Sequence, residues 1–219
     1  MKGFFLINKS KGMTSHDVVD ILRKVTGERT IGHAGTLDPA ARRLLIVAIG
    51  REYTKKISNY VGLDKEYEAE IILGRRSTTY DSEGKITNVS DRQPALAEVS
   101  EALKGVSGRY EQTPPIYSAK KIKGKKAYEL ARQGKEVNLA PAQIEIYTIE
   151  LLSYAYPLLK IRTRVSSGTY IRTLAYDIGQ KLGIGAYLNE LVRTKIGKYT
   201  LAKAAPIDQI RRPTDLSGA

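Results

Sequence analysis

Residues 32–39 read Gly32-His33-Ala34-Gly35-Thr36-Leu37-Asp38-Pro39, and the unbroken apolar run Leu44 to Ile49 follows shortly after. Glycine punctuation and a closing proline make the first stretch a loop, and the second a buried strand or a short helix stopped at Gly50. Pro39 fixes its own backbone angle and biases Asp38 towards an extended conformation, while Gly35 permits tight curvature. The Asp38 carboxylate is therefore held by a stiff loop between packed elements, a place where chemistry concentrates. Such a loop can aim a nucleophile; it can equally let Asp38 cap the following segment, since Asp-Pro is common in plain turns. It lacks the later Gly-Lys-Ser/Thr of a phosphate loop, so nucleotide hydrolysis is not supported.

Outward from this loop the pattern mixes strands and helices. Phe4 to Asn8 reads as a strand. Thr14-Ser15-His16-Asp17 signals a helix start before the periodic Val18, Val19, Ile21 and Leu22, and Gly27 closes that helix. Tyr67 to Leu73 is strand-like, and Tyr80 to Gly84 is turn chemistry leading to a short strand around Ile86. Helices are expected over Leu96 to Leu103 and Thr173 to Leu182, from Ala127, and briefly over Leu188 to Val192. Ile144 to Leu152 and Leu158 to Val165 alternate well enough to pair antiparallel. There is no regular βαβ alternation, so the class is α+β, a mixed, mostly antiparallel sheet flanked by helices. One continuous domain is expected over residues 1–210, with 211–219 a flexible tail.

Composition limits the function. Of 219 residues, 36 are Lys or Arg and 23 Asp or Glu, a net charge of +13 that favours a polyanionic partner, nucleic acid or an anionic membrane face, over a merely basic surface. Cys is absent and only His16 and His33 are present, which excludes a disulfide framework, thiolate chemistry and most metal sites. Leu44 to Ile49 is the longest apolar run, against the roughly 20 residues that span a bilayer, and the amino terminus lacks a secretory h-region. A soluble cytoplasmic protein that does not engage a membrane is expected.

The run Gly32 to Pro39 resembles the signature loop of the TruB family, the bacterial tRNA pseudouridine-55 synthases. Further segments follow in the family's order: Gly12 to Val19, Asp64-Lys65-Glu66-Tyr67, Pro115 to Lys121, Tyr128 to Gly134 and Gly168-Thr169-Tyr170-Ile171-Arg172-Thr173. The resemblance covers about residues 4–200. It implies the pseudouridine synthase fold and isomerisation of a uridine in the T arm of tRNA, moving the glycosidic bond from N1 to C5 without cofactor or metal. The target base is flipped from its stack, at an expected cost of a few kcal/mol.

By the same resemblance Asp38 is the catalytic aspartate and Arg172 its charge partner, which would keep the carboxylate ionised and oriented. Tyr67 is the active-site tyrosine, able to stack on uracil and to take part in proton transfer at C5. His33 takes the space of the flipped base. Leu191 and Arg193 line the pocket and touch RNA, and Lys9, Gly32 and Tyr170 belong to the RNA-binding set. Lys120-Lys121-Ile122-Lys123-Gly124-Lys125-Lys126 packs five lysines into seven residues, flanked by Tyr117 and Tyr128, and is read as a phosphate-contacting segment.

Three segments depart from the family. Ala40-Ala41-Arg42-Arg43 stands where a bulky apolar residue, Ala, a small residue and Gly are usual; Arg42 and Arg43 either strain the loop or add phosphate contacts. Thr78 replaces a common acidic residue and Ser10 the usual proline, although Lys9 remains. The chain stops near residue 219, whereas many relatives carry an additional C-terminal RNA-binding PUA domain, so a catalytic domain alone is expected, as a monomer. The rival reading is an RNA-binding or tRNA-folding module on the same scaffold with weakened catalysis.

Overall fold

Leu44 to Ile49 is apolar without interruption because it is buried on both faces. The computed structural model, which describes residues 1–35, 42–122 and 124–219, places this run in strand β3. In chain order the elements are β1 (Gly3–Lys9), α1 (Ser15–Thr26), β2 (Ile31–His33), β3 (Arg42–Ile49), α2 (Arg51–Thr54), α3 (Ser58–Val61), β4 (Lys65–Leu73), β5 (Arg75–Ser77), β6 (Ile86–Asn88), α4 (Leu96–Lys104) and β7 (Gly108–Gln112). They continue with β8 (Lys121–Ile122), β9 (Lys125–Lys126), α5 (Ala127–Arg132), β10 (Ala142–Ala155), β11 (Leu158–Val165), α6 (Ile171–Lys181), β12 (Ala186–Ile196), β13 (Tyr199–Thr200), β14 (Ala205–Pro206) and β15 (Ser217–Gly218). The expected continuous domain divides into two compact units, residues 1–68 with 191–219, and residues 69–190.

In the first unit β3 is central. β1 runs antiparallel along it from Gly3↔Ile49 to Lys9↔Arg43. β2 lies antiparallel to it at Ile31↔Ile49, and β12 meets it in parallel at Val192↔Arg42 and Arg193↔Arg43. Leu45, Val47 and Ile49 face one core with Phe5, Ile7 and the α1 residues Val18 and Leu22. Leu44 and Ile46 face the other with Leu6, Ala34 and Ile196. Burial on both sides favours a continuous apolar strand over an alternating one. The α1 boundaries follow the sequence signals. Thr14 Oγ1 accepts from the Asp17 amide at 3.1 Å, Asp17 Oδ2 accepts from the Thr14 amide at 2.7 Å, and Gly27 ends the helix at φ 71°.

The segment expected to fray is folded. β15 pairs antiparallel with β1 at Phe5↔Gly218, Leu216 is buried, and both the Arg211 and Arg212 amides donate to Asp215 Oδ2 at 2.9 Å. Its polar composition hides a single apolar anchor that reaches the β1 core.

In the second unit β10 and β11 form the expected antiparallel hairpin, and β7 pairs with the other edge of β10. Helix α6 buries Ile171, Leu174, Ala175 and Ile178, and its Gly179 lies so close to the chain at Gly185 and Ala186 that an added Cβ would sit 2.2 Å from the Ala186 amide nitrogen. The short helix expected over Leu188 to Val192 is instead part of β12. The three- and four-residue spacing of Leu188, Leu191 and Val192 imitates a helix, but Val192, Thr194 and Ile196 are β-branched and the strand gains partners on β3 and β13.

Candidate active site

In the first unit, Gly35 (φ 98°) and Arg42 flank residues 36–41, which carry Asp38 and lie outside the described residues. The side chains of Arg42 and Arg43 lie outside them too. On the Gly35 side the chain is anchored by the buried Ala34, whose amide donates to the Ile46 carbonyl at 2.9 Å. His33 Nδ1 stands 3.1 Å from the Gly35 carbonyl oxygen, so this nitrogen carries the hydrogen and Nε2 is left as an acceptor. Burial first, then the Arg193 charge, lowers the His33 pKa below its ordinary value against the opposing Gly35 hydrogen bond, and the ring is neutral near pH 7.

Arg193 is the centre of this site. It is 2% exposed, and its Nε and Nη2 both donate to the Leu44 carbonyl oxygen, at 2.9 and 2.7 Å. Nη1 is 3.8 Å from where a Cβ on Gly35 would stand. A further polar neighbour is the Tyr67 side chain, whose charge and hydrogen bond offset part of the downward pull of burial on the guanidinium. Among the described residues no carboxylate pairs with Arg193. β12 alternation turns Arg193, expected to line the pocket and touch RNA, inward together with Leu191, which is also buried.

Two further cations turn inward. Lys9 is fully buried at the end of β1, with Nζ donating to the Met13 carbonyl at 2.6 Å and the Ser10 carbonyl at 3.1 Å, so it is not a surface contact for RNA. Lys65 shares the buried face of β4 with Tyr67 and donates to the carbonyls of Val61 and Leu63, each at 2.6 Å. Burial, reinforced by the Arg193 charge and opposed by Asp64, pushes the Lys65 ammonium down to about 8. Tyr67 itself is 8% exposed, its ring packed within this electropositive wall. Gly32 and His33 are half-buried on β2.

In the second unit, Arg172 sits in the first turn of α6, bonded to one carboxylate and two carbonyls. Nη1 donates to Asp81 Oδ2 at 3.2 Å and to the Thr79 carbonyl at 3.4 Å, and Nη2 donates to the Tyr117 carbonyl at 2.9 Å. The two side chains are 7% and 14% exposed. Asp81 is the residue that sequence reasoning missed. It stands 91 positions from Arg172, inside a segment that reads as turn chemistry, and it is fixed there by the Thr79 hydroxyl and the Glu83 amide. Tyr170 immediately precedes α6, where Gln112 clamps its backbone by accepting from the amide at 2.8 Å and donating to the carbonyl at 3.2 Å.

A cavity of about 580 Å³ opens on the same unit, walled by Tyr80, Tyr110, Tyr117, Tyr176 and Asp177. Burial raises the Asp177 carboxyl to about 6 against the opposing Tyr110 hydroxyl, which donates to it at 3.2 Å. The lysine-rich segment is the hairpin β8–β9 leading into α5, with Lys121 and Lys125 exposed and Lys120 half-buried. Lys126 and Arg132 lie over the Tyr128 ring at 5.4 and 5.5 Å. Lys123 is outside the described residues. No helix among the described residues is long and apolar enough to cross a membrane.

Residues 23–171 match the model of the N-terminal domain of the TruB family pseudouridylate synthases, and residues 172–214 that of the tRNA pseudouridylate synthase B C-terminal domain. The chain is 47% identical over 216 residues to the tRNA pseudouridine synthase B of Protochlamydia amoebophila, covering 99% of this chain and 82% of that protein. It is 42% identical over 212 residues to the tRNA pseudouridine synthase B of Aquifex aeolicus, covering 95% and 73%. Among solved structures it resembles a chain of a Cbf5-Nop10-Gar1 complex, with TM-score 0.75 and 26% identity over 95% of this chain and 53% of that one. A chain of an H/ACA RNP bound to a substrate RNA containing 2'-deoxyuridine matches with TM-score 0.72 and 25% identity, over 95% and 52%.

Proposed function

The chain belongs to the TruB family of pseudouridylate synthases, and we propose that it isomerises uridine 55 in the T arm of tRNA to pseudouridine, as a monomer in the cytoplasm, without metal or cofactor. The observation that carries this reading is the 47% identity, over nearly the whole chain, to a protein named tRNA pseudouridine synthase B. The net charge of +13 and the exposed lysines of the β8–β9 hairpin support a polyanionic substrate.

In this reading the uridine is flipped out of the T loop, at a cost of a few kcal/mol that protein contacts offset. Asp38 carries the aspartate-dependent step and Arg172 is its charge partner. Asp81 and two backbone carbonyls hold that guanidinium oriented before substrate arrives. Tyr67 stacks on the uracil, with Leu191 lining the same pocket. Neutral His33 fills the space the base leaves, and Gly32 and Tyr170 belong to the surrounding RNA contacts. Lys120 and Lys121, with Arg42 and Arg43 beside Asp38, meet phosphates.

The test is tritium release from a T-arm stem–loop labelled at uridine C5. The intact chain should release tritium stoichiometrically and Asp38→Asn should reduce the rate at least 10³-fold with stem–loop binding retained. Turnover by Asp38→Asn at the parental rate overturns the mechanism, and an intact chain that binds the stem–loop without releasing tritium is the RNA-binding module instead.

A further inference from the structure

Among the described residues the Arg193 guanidinium, buried to 2%, has a carbonyl and a tyrosine for company, whereas a desolvated cation ordinarily carries a carboxylate. Two of its nitrogens are spent on one acceptor, the Leu44 carbonyl, and that acceptor belongs to the strand that rejoins the segment carrying Asp38. The third, Nη1, lies towards Gly35, at the other flank of the same segment. The fork is thereby locked in one plane, with its charge turned on Tyr67. We infer that Arg193 is a positioning residue for proton removal at uracil C5, acting through the Tyr67 hydroxyl; this rests on the isomerase reading above.

The chemistry has a demand that Asp38 and Arg172 do not meet. Once C1′ is joined to C5, that carbon still carries its hydrogen, and the ring holds a C6=N1 double bond. The C5–H bond must break. Its electron pair forms C5=C6, the C6=N1 pair moves onto N1, and N1 takes a proton from solvent. The departing proton goes to the Tyr67 oxygen, which has given its own hydroxyl proton to solvent, so protons and charge balance. At the moment of transfer the oxygen carries negative charge on a side chain that is largely buried. A fixed guanidinium beside it stabilises that charge without reorganising, as an oxyanion donor does. Its hydrogen bond also sets which lone pair of the oxygen faces the base. Lys65, on the same face of β4, adds positive field from two residues away.

The experiment compares the full chain with Arg193→Met and Arg193→Lys on three T-arm stem–loops carrying uridine, 5-deuterouridine or 5-fluorouridine at the target. 5-Fluorouridine has no C5 hydrogen to lose, so its conversion to the C5-glycosyl product reads every step before proton removal. Arg193→Met should lower single-turnover conversion of uridine on the order of 10²-fold. Stem–loop affinity and 5-fluorouridine conversion should stay within about twofold of the parent, with a C5 deuterium isotope effect larger than the parent's. Arg193→Lys keeps the charge but loses the fork, and should show the same selectivity with a smaller loss; it serves also if Arg193→Met fails to fold. Equal losses on uridine and 5-fluorouridine would mark a structural role and overturn the inference, as would a parental rate on uridine. A parent that converts none of the three RNAs overturns the isomerase reading and this inference with it.

Discussion

Arg172 and Arg193 are both buried, and the two units of the molecule treat them in opposite ways. Arg172 has its charge met by Asp81 and donates to two carbonyls besides. Among the described residues Arg193 is anchored on one carbonyl and has Tyr67, not a carboxylate, beside its charge. Burying a cation costs several kcal/mol in either place, but only the paired arrangement recovers most of that through an opposite charge. The first is a guanidinium fixed in position; the second is fixed in position with a positive field still to spend. Thus one fold supplies two kinds of preorganised charge, and a sequence motif alone does not distinguish them.

The contrast breaks most readily at Asp81. Asp81→Ala strands a desolvated guanidinium and should cost about 3–5 kcal/mol in urea denaturation, most of it regained when Arg172→Met is added. Loss of less than about 1 kcal/mol in the single variant would show that the ion pair is not what holds Arg172. Arg193→Met removes a charge without stranding any carboxylate among the described residues, while leaving the Leu44 carbonyl short of donors. These effects oppose each other, and the urea midpoint should report a change within about 2 kcal/mol of the parent. A collapse as large as that of Asp81→Ala would erase the distinction between the two arginines.

A smaller effect tests the second unit's habit of meeting charge with a partner. Among the described residues Asp177 has the Tyr110 hydroxyl alone at hydrogen-bond distance, and burial lifts its folded pKa to about 6 from an ordinary 3.8. Between these values the folded protein binds more protons than the unfolded one, so its contribution is present below about pH 4 and lost as pH rises through 6. Asp177→Asn should therefore gain stability relative to the parent between pH 4 and 7, by about 1 kcal/mol after allowance for solvent screening. A pH-independent difference between the two would refute the assignment.

Much of the fold was legible because local signals and burial agree. The Thr14 cap and Gly27 bound α1, and the Leu44 to Ile49 run forms the doubly buried β3. Where they disagree, the sequence misled. Leu188 to Val192 shows helical spacing and becomes strand, and that misreading hid the inward turn of Arg193, which period-two alternation places on the same face as Leu191. Lys9 lies buried because its ammonium finds carbonyls in the chain immediately following, a contact that spacing does not announce. The Asp81–Arg172 pair joins residues far apart in sequence, and nothing in a turn-like Asp marks its partner. The role given to Asp38 comes from resemblance and those of Arg42 and Arg43 from a departure from it, and the segment 36–41 and those two side chains lie outside the described residues.

The division of the chain has a consequence for synthesis. The second unit is one continuous stretch, residues 69–190, whereas the first needs residues 191–219 to supply the β3-pairing end of β12 and the strands β14 and β15 against β1. During translation the interrupting unit can close as it leaves the ribosome. Residues 1–68, although made first, must keep the edge of β1 and the apolar residues facing Ile207 and Leu216 without their covers until the whole insert has been made. The nascent chain is thus most exposed to aggregation at its earliest segment, and completion of the Tyr67 site, which takes Arg193 from beyond the insert, is deferred until the interrupting unit has emerged.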